Sequence, residues 1–590
     1  MDHDQLEGAR SPVTSTQPFD DDDESYKTRL AAALGHHDKS TQVFDSQDPA
    51  YKAHLQAALG QQEPQPVGTF LDAVDEGTRL LFLPSDPESF ELKHADVEGY
   101  QSPAGEWMDL RWEVDEDESV ETLRVLAVAQ SVYNVACDAT VRGASATAVL
   151  TFRVYFDPSS DDVSLRNTTH NSTILVIRDG QPHDSRPQVT RVYYSSAAQL
   201  GPGQWEISLP SHGCTTKLLV LHRRFLPPLA YAGPSEQSGK KRGTLPTARD
   251  PGAKRVRGAG PPVNIRTLSA VRNQGVNAAT SHPLIDLQTG RTIELIGSRR
   301  GEKYSVTRIE NLSDSRSSSV WRAIISILTP DHPSVVTKVL KPIGNARSTA
   351  TMWLRETSIH SKLSAGGLPT IVQLLGLDAR VHSLYLEDIA APSLAHRAWR
   401  GPDDYFSGTP ADARRVLDDM ASALAFVHEN GVAHNDIKPG NILFSPARGA
   451  VLIDFGLSSD GTRGSVAETQ TAGTPWYVPP EFLRHSITGR GPPGDVWALG
   501  VVMLYLRHRL PMPDKSTDWH IWAVAFQRGP DAAAAIGRMA TWLKKVEAER
   551  TQLGSSQMDE VIRQMTAPER PERVTIHAVV GPRAWAGLGT

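Results

Sequence analysis

His434-Asn435-Asp436-Ile437-Lys438-Pro439-Gly440-Asn441 and, shortly after it, Ile453-Asp454-Phe455-Gly456 are the two stretches that decide the fold of this chain. The first places a carboxylate, an amine and a side-chain amide in a short loop whose backbone Pro439 restricts. The second ends a β-like run with another carboxylate and with Gly456, which permits a sharp exit. Hard oxygen ligands suit Mg²⁺, and a carboxylate beside a lysine suits phosphoryl transfer. The residue types therefore indicate magnesium-phosphate chemistry.

In their order and separation these stretches resemble the eukaryotic protein kinase family, whose catalytic loop follows the pattern H-x-D-x-K-P-x-N and whose metal-binding segment reads D-F-G. Two further stretches follow in the family's order, Gly473–Glu481 and Asp495–Gly500. The resemblance extends from about Gly301 to the C-terminus. It implies an α+β, bilobal fold with a β-rich N-lobe (301–388) and an α-helical C-lobe (389–590). It also implies ATP and Mg²⁺ as cofactors and protein serine or threonine hydroxyls as substrates.

The resemblance implies that a phosphate lid in the N-lobe ends at Val320. The three glycine positions of the lid then fall on Ser313, Ser315 and Ser318. Serine amides can still face phosphate oxygens, but a Cβ restricts the backbone with positive φ that glycine allows. We expect this departure from the family pattern to affect nucleotide affinity more than the fold.

The other nucleotide contacts follow from the same resemblance. Lys338, on the predicted strand Val335–Leu340, is expected to contact the α- and β-phosphates, and Glu356, on a predicted helix, is expected to pair with it. Leu386 is expected to be the gatekeeper residue. The segment from Glu387 to Ile389 is expected to supply backbone contacts to adenine.

In the C-lobe the resemblance makes Asp436 the catalytic base, which orients the substrate hydroxyl and accepts its proton. Lys438 is expected to contact the γ-phosphate, and Asn441 and Asp454 are expected to hold the metal ions. A lysine two residues after the catalytic aspartate, together with Thr474, is typical of serine/threonine kinases. Structural roles are expected for an ion pair of Glu481 with Arg573 and for Asp495, which is expected to cap the backbone of the catalytic loop.

Asn435 stands where the family has an arginine that binds a phosphate on the activation loop. Asparagine cannot imitate the planar fork of that arginine. We therefore predict that activity does not depend on activation-loop phosphorylation through this contact. The residues of the loop that could still be modified are Ser458, Ser459, Thr462, Ser465, Thr469 and Thr471.

Composition sets the limits within which these motifs are interpreted. The chain has 590 residues, enough for two to four domains, and a formal net charge of −7, which does not favour nucleic acid as a partner. Two cysteines, Cys137 and Cys214, are too few for a disulfide framework and favour a reducing compartment. No apolar run is long enough to span a bilayer, so the sequence predicts an intracellular protein without a membrane partner.

Residues 1–65 are polar and contain a repeat with an offset of 25 residues. The repeat places Tyr26 and Tyr51 in equivalent short helical motifs, each of which ends at a glycine. The two copies could dock into a partner's groove, or they could be a duplicated segment of an acidic tail that is mostly disordered.

Residues 66–230 predict an all-β domain of the sandwich type, because short strands alternate with turn residues. The segment Asp161–Asn167 is faintly similar to the forkhead-associated family of phosphothreonine readers. That family's signature residues do not occur here in the right order, so a sandwich used for localisation or regulation is the preferred interpretation, with phosphopeptide binding as an alternative.

Residues 231–300 predict a flexible linker rich in glycine, proline and serine. Two basic clusters within it, Lys240–Arg242 and Lys254–Arg257, resemble a bipartite nuclear-import signal. The alternative is a basic linker that is merely solvated, so the sequence leaves both a nuclear and a cytoplasmic location open.

Two further hypotheses compete with an active serine/threonine kinase. The first is a pseudokinase, a scaffold that keeps the fold and signals by binding partners; the three lid serines favour it. In the second, the β domain is the principal functional module and reads phosphopeptides.

Overall fold

The computed structural model describes residues 78–580 except for 85–86, 95–106, 117–118, 144, 146, 179–187, 224–281, 298–302, 329–330, 343–345, 462–472, 485–490 and 514–518. Within these ranges, no helix combines the length and the apolar character that a membrane span requires. The repeat around Tyr26 and Tyr51 and the basic clusters between Lys240 and Arg257 lie outside the described residues.

The N-terminal part of the described chain is a β-sandwich, as the sequence predicts. Its strands are Thr78–Pro84 (β1), Phe90–His94 (β2), Trp107–Glu116 (β3), Ser119–Ala129 (β4), Ala136–Arg142 (β5), Val149–Phe156 (β6), Val163–Asn167 (β7), Ile174–Arg178 (β8), Gln188–Val192 (β9), Ala197–Leu200 (β10), Gly203–Leu209 (β11) and Cys214–Val220 (β12). One sheet has the order β3-β4-β1-β12-β11-β8-β9, and the other has the order β10-β7-β6-β5-β2. The paired strands within both sheets run antiparallel.

The sandwich core follows from the two-residue alternation of its strands. On β6, Phe152, Val154 and Phe156 are buried and belong to a single apolar cluster, to which both sheets contribute. Cys137 and Cys214 are buried as free thiols in the same cluster. Apolar packing between the two sheets therefore stabilises this domain.

A six-stranded antiparallel sheet and one long helix form the N-lobe. The strands are Thr292–Ile296 (β13), Lys303–Asp314 (β14), Ser318–Ile325 (β15), Val335–Leu340 (β16), Leu374–Asp378 (β17) and Ser383–Glu387 (β18), and the helix is Ala346–Ser364 (α1). The order is β13-β14-β15-β16-β18-β17.

The N-lobe begins earlier in the chain than the sequence predicts. Residues 282–297, which the sequence places in the linker 231–300, instead form part of this lobe, since β13 pairs with β14 through Ile293 opposite Val306 and Leu295 opposite Tyr304. These side chains are buried in one apolar cluster. The alternation of apolar residues in β13 is too short to stand out from a linker by pattern alone.

The two faces of the N-lobe sheet have different neighbours. Trp321, Val339 and Tyr385 point to one face, where the segment that contains β13 covers them. Val320 and Lys338, which are register partners, point to the opposite face. The strand pairing therefore directs the predicted phosphate lysine to the side of the sheet that carries the lid valine.

The C-lobe is mainly helical. Its helices are Pro410–Glu429 (α2), Pro492–Leu506 (α3), Ile521–Phe526 (α4), Ala532–Thr551 (α5), Gln557–Met565 (α6) and Ile576–Val580 (α7), and its short strands are Val432–Ala433 (β19), Ile442–Ser445 (β20), Gly449–Leu452 (β21) and Ser459–Asp460 (β22). A capping box starts α2, in which Thr409 and Asp412 exchange hydrogen bonds. Every residue of α3 from Asp495 to Leu506 is buried, so this helix is the centre of the lobe.

Candidate active site

Lys338 forms two ion pairs beneath the sheet. Its ammonium group donates to Glu356 Oε1 at 2.6 Å and to Asp454 Oδ1 at 2.7 Å. Burial alone would lower the pKa of Lys338, but the charges of Asp454 and Glu356 outweigh it and raise the pKa. The lysine is therefore charged and fixed between the two carboxylates, which come from distant parts of the chain.

Glu356 lies on the buried face of α1 and is 2% exposed. Its burial raises its pKa, against the opposing charge of Lys338. The preceding residue, Arg355, donates to the carbonyl oxygen of Gly456 at 2.8 Å. Helix α1 is thus bonded both to the lysine and to the segment that contains Asp454.

The predicted lid is the hairpin that connects β14 to β15. Ser315 closes its turn, because its amide donates to Ser318 O at 2.9 Å while its hydroxyl accepts from the amides of Ser317 and Ser318. The described residues with positive φ do not include any between Ser313 and Ser318. The expected conflict between a Cβ and a positive φ therefore does not arise in this conformation of the hairpin, and the serine side chain stabilises it.

The predicted hinge follows β18. Leu386 is 7% exposed and points to the same face of the sheet as Lys338, since Leu384 is the register partner of that lysine. The side chain of Asp388 accepts from Arg322 at 2.7 Å and from Ser334 at 2.6 Å, and Arg448 lies 3.4 Å from Glu387. These contacts hold the side chains of Glu387 and Asp388 in bonds to other parts of the protein.

Asp436 is at the centre of a hydrogen-bond cluster in the catalytic loop. Lys438 Nζ donates to its Oδ2 at 2.6 Å and also to Thr474 Oγ1 at 2.9 Å, and Thr474 donates in turn to Asp436 Oδ1 at 2.9 Å. The amide of Asn441 donates to the carbonyl oxygen of Asp436 at 2.9 Å and to its Oδ2 at 3.0 Å. The carboxylate is therefore oriented through both of its oxygens, and it is 8% exposed.

The structure brings the predicted site residues together in two clusters, Lys338 with Glu356 and Asp454, and Asp436 with Lys438 and Asn441. Residues 318–583 match the family model described as a protein kinase domain. This part of the chain belongs to the eukaryotic protein kinase superfamily. The resemblance inferred from the motifs is thereby confirmed. The N-lobe of the kinase domain extends further toward the N-terminus than the matched region, since β13 and β14 precede residue 318.

Named relatives share parts of the kinase domain. The chain is 38% identical over 156 residues to a putative CBL-interacting protein kinase 13 of Oryza sativa subsp. japonica, which is 25% of this chain and 29% of that protein. It is 35% identical over 144 residues to a calcium/calmodulin-dependent protein kinase type I of Schizosaccharomyces pombe, covering 23% of this chain and 41% of that protein. It is 29% identical over 175 residues to the serine/threonine-protein kinase fused of Drosophila melanogaster, covering 29% of this chain and 20% of that protein. The chain thus spans less than half of the length of each of these relatives.

Protein kinase domains use ATP and Mg²⁺, and the donor set of this kinase domain fits that metal. Both described hydrogen bonds of the Asn441 side chain use Nδ2, which leaves its amide oxygen as a ligand. Lys338 bonds to Oδ1 of Asp454, which leaves the second carboxylate oxygen. The charge of Lys338 keeps the pKa of Asp454 well below its usual range, so this ligand is ionised. One carboxylate and one amide suit Mg²⁺, which takes its other ligands from phosphates and water.

Asp495 holds the catalytic loop from α3. Its carboxylate accepts from the amides of His434 at 2.8 Å and Asn435 at 2.7 Å and lies 2.9 Å from His428 Nε2. Burial opposes ionisation, but the bond from His428 and the nearby positive groups keep the pKa of Asp495 below its usual value. The expected ion pair of Glu481 and Arg573 also forms, with N–O distances of 3.0 and 3.1 Å.

Asn435 connects the catalytic loop directly to two other segments of the kinase domain. Its Nδ2 donates to Leu457 O at 3.2 Å and to Ser459 Oγ at 3.0 Å, while its Oδ1 accepts from the amide of Gly491 at 3.2 Å. Its φ is 64°, a left-handed conformation that asparagine adopts more readily than most residues. The sequence identified the loss of the arginine but did not predict these replacement contacts.

Two of the six candidate phosphorylation sites, Ser458 and Ser459, use their hydroxyl groups in hydrogen bonds within the fold. Ser458 is fully buried and donates to His434 O at 3.2 Å, and Ser459 accepts from Asn435. Both hydroxyls therefore serve the fold. The other four candidates lie outside the residues that the structure describes: Thr462, Ser465, Thr469 and Thr471.

A buried aromatic stack that the sequence did not reveal joins α1 to the catalytic loop. The ring of Phe455 lies 4.9 Å from that of His434 and 4.9 Å from that of His360, in edge-to-face arrangements. His360 lies one helical turn after Glu356, and neither of its ring nitrogens has a described hydrogen-bond partner. The sequence offered one indication of this stack, since the spacing places His360 on the same face of α1 as Glu356. A histidine at that position does not by itself predict burial.

Proposed function

We propose that this chain is a serine/threonine protein kinase that transfers the γ-phosphoryl group of ATP to hydroxyl groups of other proteins. The observation that carries the proposal is the cluster in which Lys438, Asn441 and Thr474 all bond to the carboxylate of Asp436. A carboxylate held through both oxygens keeps a fixed direction, which is what orienting an attacking hydroxyl requires. The names of the relatives support the same reaction class.

Each residue of the two clusters has a role in this proposal. Asp436 orients the substrate hydroxyl for in-line attack and accepts its proton. Lys438, at 2.6 Å from that carboxylate, offsets negative charge on the transferred group. Lys338 holds the α- and β-phosphates, and Glu356 keeps it in place. Asn441 and Asp454 would hold magnesium, which would supply positive charge to offset the negative charge that develops on the phosphates.

The alternative is a pseudokinase, and the lid serines are its main support. Two observations count against it. The hairpin closes without positive φ between Ser313 and Ser318, so the loss of three glycines does not by itself deform the lid. In addition, Lys338 is charged, buried and paired with Glu356, an arrangement that keeps the phosphate-binding lysine aligned.

We further propose that this activity does not require phosphorylation of the activation loop. In kinases with an arginine before the catalytic aspartate, a phosphate can connect that arginine to the loop. Here Asn435 already connects the catalytic loop to Leu457 and Ser459 by direct hydrogen bonds. Lys362 on α1 adds an ion pair to Asp460 at 3.3 Å, immediately after those residues.

Phosphotransfer to a peptide library by the full-length protein tests the proposal, together with magnesium-dependent ATP binding measured by thermal shift. The Asp436→Asn variant should bind ATP as the wild type does and lose transfer by about 10²–10⁴-fold. The Lys338→Met variant should lose nucleotide binding as well. Absence of nucleotide binding by the wild type would favour the pseudokinase, and full transfer by Asp436→Asn would refute the role of Asp436.

A further inference from the structure

A row of three side chains on the outer face of the sandwich is buried. Ala136, Tyr155 and Ser164 are register partners on β5, β6 and β7, and they point away from the sandwich core, since their neighbours Val154 and Leu165 belong to that core. In a sandwich standing alone this row would face water. Instead the three residues are 0%, 3% and 3% exposed.

The helix that carries Glu356 covers this row. Strands β6 and β7 pack against α1, and Tyr155 belongs to the apolar cluster of the kinase domain rather than to that of the sandwich. Trp353 and Ile359 of α1 are members of the same cluster. Along α1 only Ser348 and Thr351 are exposed, so the helix is enclosed on nearly its whole circumference.

A second contact joins the sandwich to the N-lobe sheet. The carbonyl oxygen of Val132, in the turn between β4 and β5, accepts from the amide of Ala379 at 2.8 Å. Ala379 directly follows β17, so the bond reaches the sheet that holds Lys338. Asn134 keeps this turn rigid, because its side chain accepts from the amide of Ser131 at 2.9 Å and donates to Ala129 O at 3.2 Å.

We propose that the sandwich positions Glu356 against Lys338, with Tyr155 as the principal positioning residue. The sandwich contacts α1 through Tyr155 and the N-lobe sheet through Val132, so it fixes the helix relative to the sheet. The distance between Glu356 and Lys338 depends on that relative placement. The β domain is thus a structural part of the phosphate-binding site.

Hydrogen exchange of the full-length protein tests this proposal. The Tyr155→Ala variant should speed exchange of the α1 amides at least tenfold, which corresponds to about 1.4 kcal/mol of opening free energy. Tyr155→Phe keeps the packing and should restore slow exchange. Tyr193→Ala is the matched control, because it removes the same side chain from a site on the sandwich that is 61% exposed. Exchange in α2 and α3 should stay unchanged in every variant.

A second variant separates positioning from damage to the sandwich. Ser164→Lys adds a long charged side chain to the outer face, which the sandwich itself would tolerate, and should disturb α1 while β6 and β7 exchange as before. Unchanged α1 exchange in both Tyr155→Ala and Ser164→Lys would overturn the proposal.

The consequence for turnover rests on the kinase activity proposed above. In an active enzyme, Tyr155→Ala should lower kcat at least fivefold, and should lower it no further when Glu356 is already replaced by glutamine. If the losses of kcat from Tyr155→Ala and Glu356→Gln added in the double variant, Tyr155 would not act through Glu356, and the proposal would be overturned. Since the exchange experiment reads α1 whether or not phosphate is transferred, failure of the proposed function and failure of this inference are distinguishable.

Discussion

Mild acid should destabilise the N-lobe, because three of its histidines are buried in the neutral form. His282, His360 and His382 are 4%, 1% and 1% exposed. Burial lowers the pKa of His282 to about 3, that of His360 to about 3 and that of His382 to about 4. The hydrogen bonds agree for His282, whose Nδ1 accepts from the amides of Leu284 and Ile285, as only an unprotonated nitrogen can.

Burial is the largest cause at all three rings, and nearby charges add to it or offset it; at His382 the charge of Asp378 favours protonation. Lys338 and His434 oppose a second positive charge at His360, with Asp454 acting in the opposite direction. Arg223 and His382 oppose protonation of His282.

The sign and the magnitude follow from proton linkage. Each folded-state pKa lies below the unfolded value of 6.5, so the unfolded chain binds more protons, and stability falls as the pH drops below about 6.5. When the pH falls from about 7 to about 5.5, proton binding by each such histidine in the unfolded chain lowers the free energy of unfolding by about 1.2 kcal/mol. For the three together the loss is about 4 kcal/mol, a large part of the stability of a typical domain.

Urea unfolding at the two pH values, followed by tryptophan fluorescence, to which the buried Trp321 and Trp353 of the N-lobe contribute, measures this loss. The His360→Met variant isolates one of the three contributions, so its loss of stability should be smaller by about 1.2 kcal/mol. At about pH 7 the same variant should be more stable than the wild type by about 1–2 kcal/mol, since it removes two buried nitrogens that have no described partner. The control is His170→Met, because His170 is exposed.

Equal stability of the wild type at both pH values would mean that the N-lobe binds protons as readily as the unfolded chain, and would contradict the prediction. Equal losses for His360→Met and His170→Met would mean that His360 contributes nothing to the pH dependence.

Three further results are expected. Asn435→Ala should lower kcat about 10–100-fold, because it removes the direct bonds to Leu457 and Ser459. Alanine at Thr462, Ser465, Thr469 and Thr471 together should change kcat less than about twofold. Abolished activity in this second variant would contradict the proposal that activity does not require phosphorylation of the activation loop. Arg573→Ala should lower the free energy of unfolding by about 3–5 kcal/mol, because it leaves Glu481 without its bidentate partner, and a loss under about 1 kcal/mol in chemical denaturation would count against this ion pair. We propose that the two basic clusters act as a nuclear-import signal; alanine at Lys240, Lys241 and Arg242 should then shift a fluorescent fusion from nucleus to cytoplasm, and an unchanged distribution would exclude that signal.

The catalytic loop could be predicted from sequence because its chemistry is local. Asp436, Lys438 and Asn441 lie within six consecutive residues, so a short motif fixes both their identities and their spacing. Lys338 and Glu356 were identified less directly, from strand and helix patterns in the expected order. The structure brings these residues together at 2.6 Å, a contact that local patterns cannot demonstrate.

The lid was interpreted less well, for a reason that concerns backbone conformation. From the sequence, the amides of the three lid serines can still face phosphate oxygens, but their Cβ atoms restrict the positive φ that glycine allows. Sequence reasoning did not consider that the hydroxyl of Ser315 could accept from two amides and close the turn in an ordinary conformation. The same side-chain bonding that disfavours serine inside helices favours it in turns, so a change of residue type can be compensated by a change of turn.

Sequence patterns could not predict the interface between the sandwich and the kinase domain. The two-residue alternation of a strand shows which side chains share a face of the sheet, but not which element packs against that face. In β6 the pattern separates Phe152, Val154 and Phe156 from Tyr155, and a lone tyrosine on an outer face is ordinary for a surface strand. Only the packing of α1 against that face gives Tyr155 a role. A residue of one domain can thus belong to the functional site of another without any motif, since what it supplies is the position of Glu356 rather than a chemical group.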